Sequence, residues 1–228
     1  MKLVSQKCKL PITNVDVDAK ESTRSKNGPL LPNSIRALIC GPSGVGKTNL
    51  IYCLLTERNG LSFKNVYVYS KSLVQPIYVQ LEKVMGGLPE IKYHTFSTTS
   101  EVVSPEEASM NSVFVFDDVM SDPQEKMREF FSMGRHKNID CFYLCQSYTK
   151  VPKHLIRDNT NFIVLFKQDG LNLRHVYDDH VSPEITFDDF MAMCKICWEK
   201  KYDFLTIDKS RELQNGRFRQ SFDNFIHL

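Results

Sequence analysis

The sequence predicts an α/β fold with a mostly parallel sheet and helices on both faces. Three observations predict it. Short apolar runs alternate with amphipathic stretches, a glycine-rich loop joins an early apolar run to a helical pattern, and two adjacent aspartates close a later apolar run. Such alternation favours parallel strands joined by helical crossovers. At 228 residues the chain fits one domain with a sizeable core and is too short for a comfortable second. Hydrophobic residues at 42% and charged residues at 25% exclude disorder throughout.

Residues 1–33 are polar and carry "ESTRSKNGPLLPN", rich in turn formers, which predicts an N-terminal arm. The opening "MKLVSQKCKLP" lacks the apolar centre of a secretory signal, and no run is long enough to span a membrane. "SIRALIC" (34–40) predicts the first strand, and "TNLIYCLLTE" (48–57) has apolar residues at helical spacing. Further strands are expected at 65–70, 91–96, 112–118, 139–146 and 161–166, all β-branched or aromatic runs. Helices are expected at 74–84 and 123–133, with a short one at 153–156. Residues 183–200 predict one more helix, with a start signal at Thr186, followed by an edge strand at 201–208. The core domain therefore spans 34–208, and 209–228 reads as a flexible C-terminal tail whose Lys209, Arg211, Arg217 and Arg219 are solvated or meet DNA.

The loop "GPSGVGKT" comprises Gly41, Pro42, Ser43, Gly44, Val45, Gly46, Lys47 and Thr48. Its glycines free the backbone to converge N–H groups on an anion at a helix N-terminus. In the pattern G-x-x-x-x-G-K-[ST], the lysine reaches the β and γ phosphates and the hydroxyl ligates Mg²⁺. A plain glycine-rich turn uses the same residues, but the flanking strand and helix favour a polyphosphate site. "VFVFDD" supplies the matching acids, with Asp117 suited to the Mg²⁺ shell and Asp118 to orienting or deprotonating a water. Adjacent acids also form ordinary turns; it is the pairing with the glycine loop that selects the metal reading.

Gln146 ends the apolar run "FYLCQ", where an amide can donate to phosphate and accept from water. Arg135 precedes that run and Arg157 follows it, and either can stabilise charge on a transferred phosphoryl group or lie on the surface. "FKQD" (166–169) has Phe166 where a guanine-reading motif needs Asn or Thr. Seven cysteines, mostly inside apolar segments, predict a reducing compartment, and Cys194 and Cys197 form a single C-x-x-C with no second pair at metal-ligand spacing. The net charge of +2 neither announces nor excludes nucleic acid.

In this order, "GPSGVGKT", "VFVFDD", "GRHKNIDCFYLCQS" and "KVPKHLIRDNTNFIVLFK" resemble the FtsK/HerA-type ATPases that package DNA into capsids of large DNA viruses and Polinton-like elements. The resemblance covers residues 34–168 closely and 169–208 more loosely. It implies a P-loop NTPase fold of the additional-strand, RecA-like type, with ATP and Mg²⁺ as ligands and double-stranded DNA as the polymer moved. It also implies a pentameric or hexameric ring, a capsid or portal vertex as partner, and action in host nucleus or cytoplasm at virion assembly sites, or within the virion. By the same resemblance Lys47, Asp118, Gln146 and Arg135 are catalytic, with Arg135 as the arginine finger and Gln146 as the sensor. The wider superfamily often has Glu where Asp118 stands, one methylene longer. Two other classes use such a loop: a small-molecule phosphotransferase, which needs a second substrate pocket and a lid, and a nucleotide-bound assembly scaffold.

Overall fold

The apolar runs become strands because β-branched and aromatic side chains pack on a pleated surface and their backbone groups find partners only in a ladder. The computed structural model describes residues 25–228. In chain order it contains β1 (Arg36–Cys40), α1 (Lys47–Thr56), β2 (Asn65–Ser70), α2 (Pro76–Gly86), β3 (Lys92–Phe96), β4 (Ser112–Asp117) and α3 (Glu125–Met133). These are followed by β5 (Ile139–Cys145), β6 (Phe162–Leu165), α4 (Gly170–His180), α5 (Phe187–Cys197), β7 (Leu205–Asp208), β8 (Phe218–Gln220) and β9 (Asn224–Phe225). One sheet holds all nine strands in the order β3-β2-β4-β5-β1-β6-β7-β8-β9. The first six run parallel, and β7, β8 and β9 pair antiparallel.

Both sheet faces are covered, and the alternation of each strand divides the core. Ala37, Ile39, Val113 and Val115 pack with Leu54 of α1 and Leu81 of α2. Leu38, Phe114, Phe116 and Tyr143 face the other way, onto Phe130 of α3, Val176 of α4 and Phe190 of α5. Strand β5 lies between β1 and β4, so the tips of all three meet at the same edge of the sheet. That edge carries the glycine loop, both aspartates and Gln146.

Four expectations need correction. The tail at 209–228 is part of the sheet: it contributes β8 and β9, Arg219 is fully buried against Asp208 at 2.9 Å, and Arg217 forks onto Glu184. The strand expected at the edge, β7, is therefore internal. Residues 153–157 do not form a regular helix, because Leu155 turns left-handed at φ 66°. Helix α4 was not foreseen. The arm at 1–33 lies largely outside the described residues; of its last part, Lys26 pairs with buried Asp140 at 2.9 Å and Asn27 is buried.

Candidate active site

The loop after β1 is held in a form closed to most sequences. Gly46 takes φ 102° and Gly44 φ 77°, left-handed values that cost little only without a Cβ. Gly46 caps α1, so the loop delivers its N–H groups at a helix N-terminus, where the dipole favours an anion. Lys47 Nζ donates to the carbonyl oxygens of Gly41 at 2.7 Å and Pro42 at 2.8 Å. Burial lowers the Lys47 ammonium, and the Asp117 carboxylate, foremost among its neighbours, works against that.

Thr48 Oγ1 donates to Asp117 Oδ2 at 3.1 Å, across from α1 to the end of β4. Tyr78 of α2 donates to the same oxygen at 2.5 Å. Burial pushes the Asp117 carboxyl up, while the Tyr78 and Thr48 bonds pull it down. A buried carboxylate oxygen beside a hydroxyl fits Mg²⁺, which takes few protein ligands and keeps places for phosphate and water. Among the described residues no group of three or more His, Cys, Asp and Glu side chains has metal-binding geometry, and Cys194 and Cys197 lie buried on α5. Asp118 is exposed with φ 57°, a left-handed backbone that aspartate tolerates better than most residues.

Lys47, Thr48, Asp117, Asp118 and Gln146 all line one cleft of about 550 Å³, with Ser43, Gly44 and Gly46 on its loop side. Arg135 is not among its lining residues. It lies before β5, beside Arg36 at the amino ends of the strands, and is exposed. The seven residues of β5 separate it from Gln146 by about 20 Å, at roughly 3.3 Å per residue. Arg157 is also apart from the cleft. Its Nη1 donates to Asp179 at 2.8 Å and its guanidinium lies 5.0 Å from the Tyr148 ring centroid. Tyr148 donates to Asp179 at 2.8 Å, and His180 Nε2 sits 2.7 Å from the Tyr148 hydroxyl. Burial holds that imidazole neutral, down to about 3.

The family model described as "Poxvirus A32 protein" matches residues 22–210. The chain belongs to this family. Comparison with curated proteins finds no match. The solved structures similar to this A32-family chain include the genome packaging NTPase B204 from Sulfolobus turreted icosahedral virus 2. Its sulfate complex is 13% identical, with 78% of this chain and 94% of that one covered and a TM-score of 0.53. Its AMPPCP complex is 11% identical, with 78% and 93% covered and a TM-score of 0.52. B204, the DNA-packaging ATPase from Sulfolobus turreted icosahedral virus, is 15% identical, with 76% and 92% covered and a TM-score of 0.51. At these identities the likeness establishes the fold.

Sequence reasoning missed Tyr78 in this A32-family cleft. It sits on α2 at a position that reads as core, and it is nearly fully buried, so only the bond to Asp117 reveals it. A tyrosine between Ile77 and Val79 in "SLVQPIYVQ" carries no signal of its own.

Proposed function

We propose that the protein is an ATP-hydrolysing motor subunit that translocates double-stranded DNA into a viral capsid, working in a ring of identical subunits at intracellular sites of virion assembly. One observation carries the reading: Lys47, Thr48, Asp117, Asp118 and Gln146, from three separate segments, converge on a single cleft at the carboxyl edge of the parallel strands. Membership of the A32 family and the fold shared with the B204 packaging proteins support it.

In this reading the loop N–H groups cradle the phosphates and Lys47 Nζ exchanges two carbonyl oxygens for β and γ phosphate oxygens. Thr48 and Asp117 would hold Mg²⁺, which would supply positive charge against the phosphates. Gln146 orients a water on the γ phosphorus. The water oxygen bonds to phosphorus, the bond to the β–γ bridging oxygen breaks, and Asp118 accepts the water proton. Arg135 is exposed and lies at the other end of β5 from its own cleft, so in this reading it serves the cleft of a neighbouring subunit, where it meets charge building on the transferred phosphoryl group.

The test is the ATPase rate of the full chain with and without linear duplex DNA. Stimulation by DNA is expected. Slow turnover indifferent to DNA marks a scaffold, and phosphate transfer to a small acceptor marks a kinase.

A further inference from the structure

A second cavity, of about 470 Å³, opens beside the phosphate loop, and Gly46 and Asn49 line both cavities. Its character is different. Phe166, Tyr202, Phe204 and Phe222 form its walls, and Phe204 is fixed between two of them, with ring centroids 5.2 Å from Phe166 and 5.5 Å from Phe222. Flat apolar side chains beside a polyphosphate cradle suit the flat, apolar face of a heterocycle joined to those phosphates. We propose that this cavity takes the nucleobase of the bound nucleotide and that Tyr202 is its stacking platform; the inference rests on the phosphate site proposed above.

The backbone singles out Tyr202. It stands at φ 76°, a left-handed value that is a true outlier for a bulky residue, and 56% of it is exposed. Ser221, which also lines the cavity, is left-handed at φ 52°. Strain of this kind persists where the surroundings impose it and gathers at ligand sites. Here it keeps an aromatic ring against the loop: Tyr202 Cδ1 lies 3.8 Å from the place a Cβ on Gly46 would occupy. Neither the core nor the sheet needs that ring, since it caps the turn between α5 and β7 and remains half in solvent. Every base has a π face, so a stacking platform binds ATP and GTP by the same contact.

Isothermal titration of the full chain with Mg²⁺ present, using ATP, GTP and inorganic tripolyphosphate, separates this site from the phosphate site. Tyr202→Gly removes the ring and relieves the backbone. It is expected to weaken ATP and GTP binding by about ten- to a hundred-fold, to leave tripolyphosphate binding unchanged, and to unfold no earlier on heating than wild type. Tyr202→Phe is expected to keep wild-type affinities. Wild-type ATP affinity in Tyr202→Gly, or equal loss for ATP and tripolyphosphate, overturns the proposal. Failure of wild type to bind tripolyphosphate at all overturns the phosphate-site reading instead.

Discussion

The cleft at the carboxyl edge of the sheet and the half-buried cluster around Asp179 hold the same kinds of side chain and use them in opposite ways. In the cluster each charge is answered from within the chain: Arg157 and Lys153 reach Asp179 at 2.8 and 3.3 Å, and Tyr148 links it to a neutral His180. In the cleft Lys47 has two backbone carbonyl oxygens, Asp118 projects from a left-handed backbone, and burial disfavours the charge on Asp117. Charge neutralised internally holds a fold together, whereas charge left under-compensated at a cleft awaits a ligand. By this criterion the two candidate arginines separate. Arg157 belongs to the cluster, whereas Arg135 is exposed and in no ion pair among the described residues.

Substitutions on the two sides of this contrast should fail in different ways. Asp118→Asn keeps the shape of the side chain but cannot accept a proton, so kcat should fall by roughly 10² to 10⁴ while ATP still binds. Rapid-quench turnover checks it, and an unchanged kcat moves the base elsewhere. Arg157→Ala removes one partner of a half-buried, charge-assisted bond and should cost about 1.5 to 3 kcal/mol in denaturant unfolding, with turnover per folded molecule unchanged. Lost turnover at full stability would dissolve the contrast between the two regions.

The smallest expected effect is that of Tyr78→Phe. Burial already raises the Asp117 carboxyl, and losing the Tyr78 bond raises it further, so the ionised form appears only at higher pH. The sign for stability follows. A carboxyl raised on folding stabilises the fold while protonated, and this contribution is lost as pH rises through the raised value. A bound cation reverses that cost. The acid limb of the ATPase pH profile should therefore move to higher pH, with about tenfold lower activity on the acid side and near wild-type activity at alkaline pH. A profile lowered equally at every pH makes Tyr78 a packing residue only.

Much of this was legible because it rests on local pattern. The run "NVYVYS" became β2 over the same residues, and the glycine loop and "VFVFDD" landed at the strand tips on either side of β5. What escaped depends on partners distant in sequence. Helix α4 buries Leu173 and Val176 alongside Asn172 and His180, so its inner face is half polar and gives a weak periodic signal. Arg217 and Arg219 read as solvated because nothing nearby announces Glu184, and Asp208 becomes a partner only once β7 and β8 pair. Tyr78 and Tyr202 read as ordinary aromatics, and only the fold places one on Asp117 and the other against Gly46.

The account turns on Arg135 acting in a neighbour's cleft, and mixing two inactive variants tests it directly. Lys47→Ala lacks the cleft cation and Arg135→Ala lacks the finger, a contribution of about 10³ to 10⁵ in kcat in other phosphate-loop hydrolases. Each alone should bind into rings and hardly turn over ATP. In mixed rings some interfaces pair an intact Lys47 with an intact Arg135, so ATPase activity should partly return. Mixed rings that demonstrably form and stay inactive, with Arg157→Ala inactive by itself yet restored to activity by mixing with Lys47→Ala, would contradict the assignment of Arg135.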